Sequence, residues 1–130
     1  MNKDEAIRAV TTPGAPAAIG PYSQGVAAGG LLFVSGQLPL DPQTGEFVAG
    51  GIEAKTHQCL KNIAAIAQAA GTGLDRAVKL TVFLTDLANF ARVNQVYGQY
   101  FKAVLPARSA VQVAALPKGA EIEIEAILKF

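Results

Sequence analysis

From Glu121 to Leu128 apolar and acidic residues alternate strictly. Ile122, Ile124 and Ala126 point one way, and Glu121, Glu123 and Glu125 point the other. That is the period of a strand with one buried face. The same period, more weakly, makes Ile7 to Thr12 an edge strand. "GVAAGGLLFVSGQLPL" reads as a hairpin, with Gly29-Gly30 as its turn and Leu31 to Gln37 as its second strand. From Ile52 to Ala70 the pattern changes to a helix. Ile52, Leu60, Ile63, Ala67 and Ala70 fall near one stripe, and Gly71 ends it. "RAVKLTVFLTD" predicts a strand apolar on both faces. Asp86 or Asn89 then caps a second helix, running through Phe90, Val93, Tyr97, Tyr100 and Phe101 and ending before Pro106. Ser109 to Ala114 and Glu121 to Leu128 form two final strands, placed side by side because "ALPKGA" joins them closely.

The order of strands, helix, strand, helix and strands predicts two helices laid on one mixed sheet of five or six strands, an α/β or α+β layer. Two helices of this length cover one face only. Several strands are nevertheless apolar on both faces, so the second face is expected to meet another copy in a closed homo-oligomer.

Composition narrows the function. The 130 residues make one domain; 51% are hydrophobic and only 16% charged, which also calls for surface buried against a partner. The formal net charge is +1, with Lys and Arg spread singly and no basic stripe, so nucleic acid is not an expected partner. A single cysteine, Cys59, forms no internal disulfide or thiolate cluster and fits a reducing compartment. "MNKDEAIRAV" carries no long apolar leader, and no run is long enough to span a membrane, so a cytoplasmic protein is expected. His57 and Cys59 lie two apart on a helix and point apart, so no metal pair is expected. The glycines of "AAGTGLDR" follow a helix instead of opening one after a strand, so a dinucleotide loop fails on context.

Arg108 in "LPARSAVQVAALP" and Glu123 in "EIEIEAIL" carry the most chemical interest. Arg108 either pairs with a carboxylate across adjacent strands, worth less than about 1 kcal/mol when exposed, or grips a ligand carboxylate through two parallel hydrogen bonds. Glu123 is either part of a solvated acidic face or a base in a cleft. Tyr22, in its Gly20-Pro21 bend, either packs or closes over a ligand. Ser35 ends an apolar strand beside Gly36, which permits close backbone approach, but "VSGQ" lacks the glycines of a nucleophile elbow.

Together, "APAAIGPYSQG", "FVSGQLPLDPQTGE", "VFLTDLANFARVNQVY" and "PARSAVQVAALPKGAEIEIEAI" resemble the Rid (YjgF) family of reactive-intermediate deaminases over about Pro13 to Leu128. The match is to its RidA type. The resemblance implies a chorismate-mutase-like α+β subunit in a homotrimer, its sheets forming a central barrel with ligand clefts between subunits. It implies hydrolysis of enamines and imines released by pyridoxal-phosphate enzymes, 2-aminoacrylate and 2-imino acids, to 2-keto acids and ammonia. No cofactor or metal is implied. Carried over by motif, Arg108 holds the substrate carboxylate and Glu123 activates water, while Tyr22, Ser35, Gly36 and Asn94 contact the substrate. The family commonly has cysteine two residues after the arginine; here Ala110 stands there, leaving only its backbone carbonyl and amide for ligand contacts and no thiol for oxidative control.

Other functions fit parts of the same pattern. A regulatory module could sense a 2-keto acid through Arg108 without turnover. RNA cleavage or translational inhibition, attributed to some relatives, is opposed by the near-neutral charge and single histidine. A holding role toward unfolded proteins has no specific residues to support it.

Overall fold

The computed structural model describes residues 6–130. Residues 1–5, on which the expectation about a leader partly rests, lie outside the described residues. The strands are β1 (Arg8–Val10), β2 (Gly25–Ala28), β3 (Leu31–Gln37), β4 (Ala77–Leu84), β5 (Ala107–Gln112) and β6 (Ile122–Lys129); the helices are α1 (Ile52–Ala70) and α2 (Phe90–Tyr97). The six strands form one mixed sheet in the order β1-β2-β3-β6-β4-β5. Only β4 and β5 run parallel; α2 supplies the crossover that parallel neighbours need.

Local chemistry fixes most boundaries. Gly29 and Gly30, at φ 59° and 77°, turn the β2–β3 hairpin in a conformation that a side chain resists. Asp86 accepts a hydrogen bond from the Ala88 amide at 2.9 Å, capping a single 3₁₀ turn that runs into α2, whereas Asn89 caps nothing with its side chain. The stripe on α1 buries Leu60, Ile63, Ile66 and Ala67 against Leu32 and Val34 of β3, Leu80 and Val82 of β4 and Ile122 and Ile124 of β6. Each large side chain so buried contributes about 1.5–3 kcal/mol relative to exposure. Cys59 lies inside this core with no exposed surface, and burial pushes its thiol pKa far up, so it is a packing residue and not a nucleophile.

Both helices sit on one face. The other presents Phe33, Thr81, Phe83, Val111 and Ile127, with Phe33 and Val111 still 42% and 40% exposed. No helix among the described residues is long and apolar enough to cross a membrane.

Three expectations need correction. β5 and β6 are not neighbours: β4 lies between them, pairing in parallel with β5 and antiparallel with β6. The short connection misleads because it leaves β5 at one end of the sheet and passes over β4 through a 3₁₀ turn at Pro117–Gly119. An Arg108–Glu123 ion pair across adjacent strands therefore does not exist within the chain. The second helix ends at Tyr97, so Tyr100 and Phe101 pack from the turns after it. Finally, β5 begins at Ala107, which places Arg108 inside the strand instead of before it.

Candidate active site

A cavity of about 640 Å³ opens where the Pro/Gly loop meets the end of β3 and the middle of β6. Tyr22, Ser35, Gly36 and Glu123 line it together, with Glu125 and Lys118 also on the wall. The register explains the grouping. Between β3 and β6 the pairing steps from Val34–Ala126 to Gln37–Ile124, so Ser35 and Gly36 bulge opposite Glu125. That bulge carries the Gly36 backbone against Glu123: a Cβ added at Gly36 would lie 2.2 Å from Glu123 Oε2. Gly36→Ala should therefore push the Glu123 carboxyl aside. If Glu123 takes part in catalysis, a displacement of about 1 Å predicts a loss of about a hundredfold in kcat/KM. A crystal structure of the variant with Glu123 unmoved would contradict this.

Glu123 is half-buried. Its burial, and secondarily the like charge of Glu125, raise its pKa above the ordinary glutamate value. No Lys or Arg among the described residues pairs with it; the ion pair formed there joins Lys55 to Glu121. Ser35 donates its hydroxyl proton to the Ser23 carbonyl at 2.6 Å, so its oxygen is left as an acceptor and not as an activated nucleophile. Tyr22, 53% exposed, hangs over the opening from a bend closed by its amide on the Gly20 carbonyl at 2.9 Å.

Arg108 stands elsewhere. It is paired with Leu80, whose side chain enters the core, so it projects from the helix-bearing side of the sheet. There Nη1 donates to Asn94 Oδ1 at 2.7 Å, and the guanidinium lies over the rings of Phe90 and Tyr97 at 5.1 and 4.8 Å from their centroids. The stacked, half-bonded fork is held in one orientation with N–H groups to spare. Burial raises the Tyr97 hydroxyl pKa, and Arg108 opposes that in part. Ala110 lies two residues along the same strand and face, partly exposed. Glu123, opposite Phe83, is on the other side of the sheet.

The residues singled out from sequence thus gather into two separate groups. Tyr22, Ser35, Gly36 and Glu123 share the cavity; Arg108, Asn94 and Ala110 share the β5–α2 edge. Phe90 and Tyr97 under the guanidinium were missed, although their spacing to Asn94 on one helix gave a signal. Gln24 and Asn62, polar residues buried at 3% and 1% exposure, were also missed. A polar residue beside the apolar stripe of α1 was the available clue to Asn62.

A six-stranded mixed sheet carrying two helices, with a half-buried carboxyl on one face and an arginine on the other, defines a small α+β subunit. The family described as Endoribonuclease L-PSP matches residues 12–129. RutC family protein y4sK of Sinorhizobium fredii is 55% identical over 122 residues, covering 94% of this chain and 97% of the relative. The human 2-iminobutanoate/2-iminopropanoate deaminase is 50% identical over 120 residues, covering 92% of this chain and 88% of the relative. The crystal structure of RidA from an Antarctic Psychrobacter superposes with a TM-score of 0.90 at 48% identity, covering 95% of this chain and 99% of that one. The chain belongs to the Rid (YjgF) family, and its fold is that of Rid-family structures. At the coarse level the family and these relatives support imine deamination.

Proposed function

We propose that the protein hydrolyses 2-imino acids and their enamine tautomers to 2-keto acids and ammonia, in clefts formed where Arg108 of one copy faces the Glu123 cavity of the next. The observation that carries this is the separation of the two charged groups. Arg108 and Glu123 project from opposite sides of one sheet, separated by β4, so a ligand touching both must lie between two chains. The exposed apolar face holding Phe33 and Val111 supplies a surface for such an assembly, a closed homotrimer with these faces turned inward.

Arg108 binds the substrate carboxylate through two N–H groups, while Asn94 holds the fork from behind. Tyr22 closes over the substrate, and the backbone of Ala110 borders its carboxylate end. Gly36 admits the Glu123 carboxyl, and the Ser35 oxygen accepts a hydrogen bond from the imine nitrogen or the water. Glu123 takes a proton from water as its oxygen attacks C2. The C=N pair moves onto nitrogen, giving a carbinolamine, and the same carboxyl returns the proton to that nitrogen. The carboxyl then passes the hydroxyl proton to that nitrogen as the C–N bond breaks, so that ammonia leaves and the keto acid remains. An imine is already electrophilic, so orientation and one proton shuttle are enough. A cytoplasmic setting, where pyridoxal-phosphate enzymes release such species, suits this role.

The test is the release of ammonia and pyruvate from 2-iminopropanoate generated by an amino-acid oxidase. Faster release with the protein than without it is expected. Pyruvate binding with no acceleration would favour a 2-keto-acid sensor instead.

A further inference from the structure

We propose that Gln24 and Asn62 are positioning residues, each of which holds one of the two irregular walls of the Glu123 cavity in place and so keeps its carboxyl group screened from bulk water. Both walls lack regular structure, and their carbonyls need partners. One wall is the Pro/Gly loop that carries Tyr22. Gln24 Nε2 donates to the carbonyls of Thr12, Ala15 and Pro16 at 3.0, 3.3 and 2.8 Å, and its Oε1 accepts from the Thr12 amide at 2.7 Å. The other wall is the segment leaving β3. Asn62 Nδ2 reaches from α1 to the carbonyls of Leu38 and Leu40 at 3.2 and 3.0 Å, and its Oδ1 accepts from Gln58 Nε2 at 2.8 Å.

Every N–H of the two side chains is engaged with the backbone, so neither has a donor left for a substrate. Gln24 borders the cavity and Asn62 stands behind it. One buried amide therefore serves each wall. The wall that Asn62 holds continues directly from Gly36, whose backbone packs on the Glu123 carboxyl. Release of either wall admits water to that carboxyl. The titratable groups around Glu123 are Glu125 on its own strand, Lys118 in the preceding turn, Tyr22 in the loop and the Cys59 thiol on α1. None of these is altered by substituting Gln24 or Asn62.

Titration of the Glu123 carboxyl, followed by carbon-13 NMR in the full chain, tests the proposal without reference to turnover. Gln24→Met and Asn62→Leu keep apolar bulk and remove the donors. In both, the Glu123 pKa should fall from its raised value toward that of an ordinary glutamate, and in Gln58→Ala it should fall by less. An unchanged titration in the folded variants would overturn the proposal. Should the first two variants fail to fold, an unmoved pKa in Gln58→Ala would overturn it equally.

The catalytic consequence rests on the deaminase reading. There, kcat/KM should drop about ten- to a hundredfold in Gln24→Met and Asn62→Leu, with the acid limb of its pH profile moving to lower pH. If the NMR shift occurs while the wild-type protein fails to accelerate ammonia release from 2-iminopropanoate, the deaminase reading fails and the positioning role stands.

Discussion

Arg108→Ala should lose at least about a hundredfold in kcat/KM toward 2-iminopropanoate, because two charge-assisted hydrogen bonds disappear at about 1.5–3 kcal/mol each. The loss should fall on both KM and kcat, since in the proposed mechanism the carboxylate contact binds the substrate and also sets C2 beside the water. Arg108→Lys should recover only part. An ammonium keeps the charge but cannot make the parallel pair or lie flat over Phe90 and Tyr97. Thermal stability should change little, since Arg108 faces solvent and its ring contacts are worth about 0.5–1 kcal/mol at an exposed site. Steady-state kinetics with a melting curve check both. Near-normal turnover by a folded Arg108→Ala protein would remove the carboxylate anchor from the mechanism.

Glu123→Gln should keep pyruvate binding and lower kcat by about 10²–10⁴-fold, the usual worth of a positioned acid–base group. The pH dependence follows from the raised pKa. A base must be ionised, so kcat/KM should fall below a pH higher than that of an ordinary glutamate, and the glutamine variant should lack this limb. Stability moves in the opposite sense. A carboxyl whose pKa is higher folded than unfolded binds its proton more tightly in the folded state. Stability is therefore lost as pH rises from the unfolded value through the folded one. At neutral pH the neutral glutamine avoids that cost, and Glu123→Gln should melt no lower than the wild type. Lower activity with unchanged or higher stability is the signature of a group kept for chemistry. Equal loss of binding, turnover and stability would make Glu123 a structural residue.

Much of this was legible in the residues. The limits of β3 and α1 coincide with the predicted ones because a glycine turn and a glycine stop mark them in sequence. The alternation of β6 identified its core face, and every apolar residue from Ile122 to Leu128 on that face is buried. The half-covered sheet also followed from helix length alone. The place of β5 did not. Sequence proximity favoured pairing with β6, whereas the crossover through α2 makes β5 the parallel neighbour of β4. The register on β4, with Arg108 beside Leu80 and Glu123 beside Phe83, puts the two on opposite faces, and that register depended on the topology. The loop contacts of Gln24 were equally hidden, since an amide that satisfies distant loop carbonyls leaves no periodic trace, and the place of Asn62 beside the α1 stripe did not say which carbonyls it meets.

A mixture of Arg108→Ala and Glu123→Gln chains addresses the divided cleft directly. Each variant alone lacks one half of every cleft. If neighbouring copies combine the halves, trimers assembled at random from equal amounts contain about a quarter of their clefts intact. Co-expressed or co-refolded mixtures should then recover about a quarter of the wild-type deaminase rate. A mixture as inactive as its two components, with mixed assemblies shown to form, would contradict a site shared between chains.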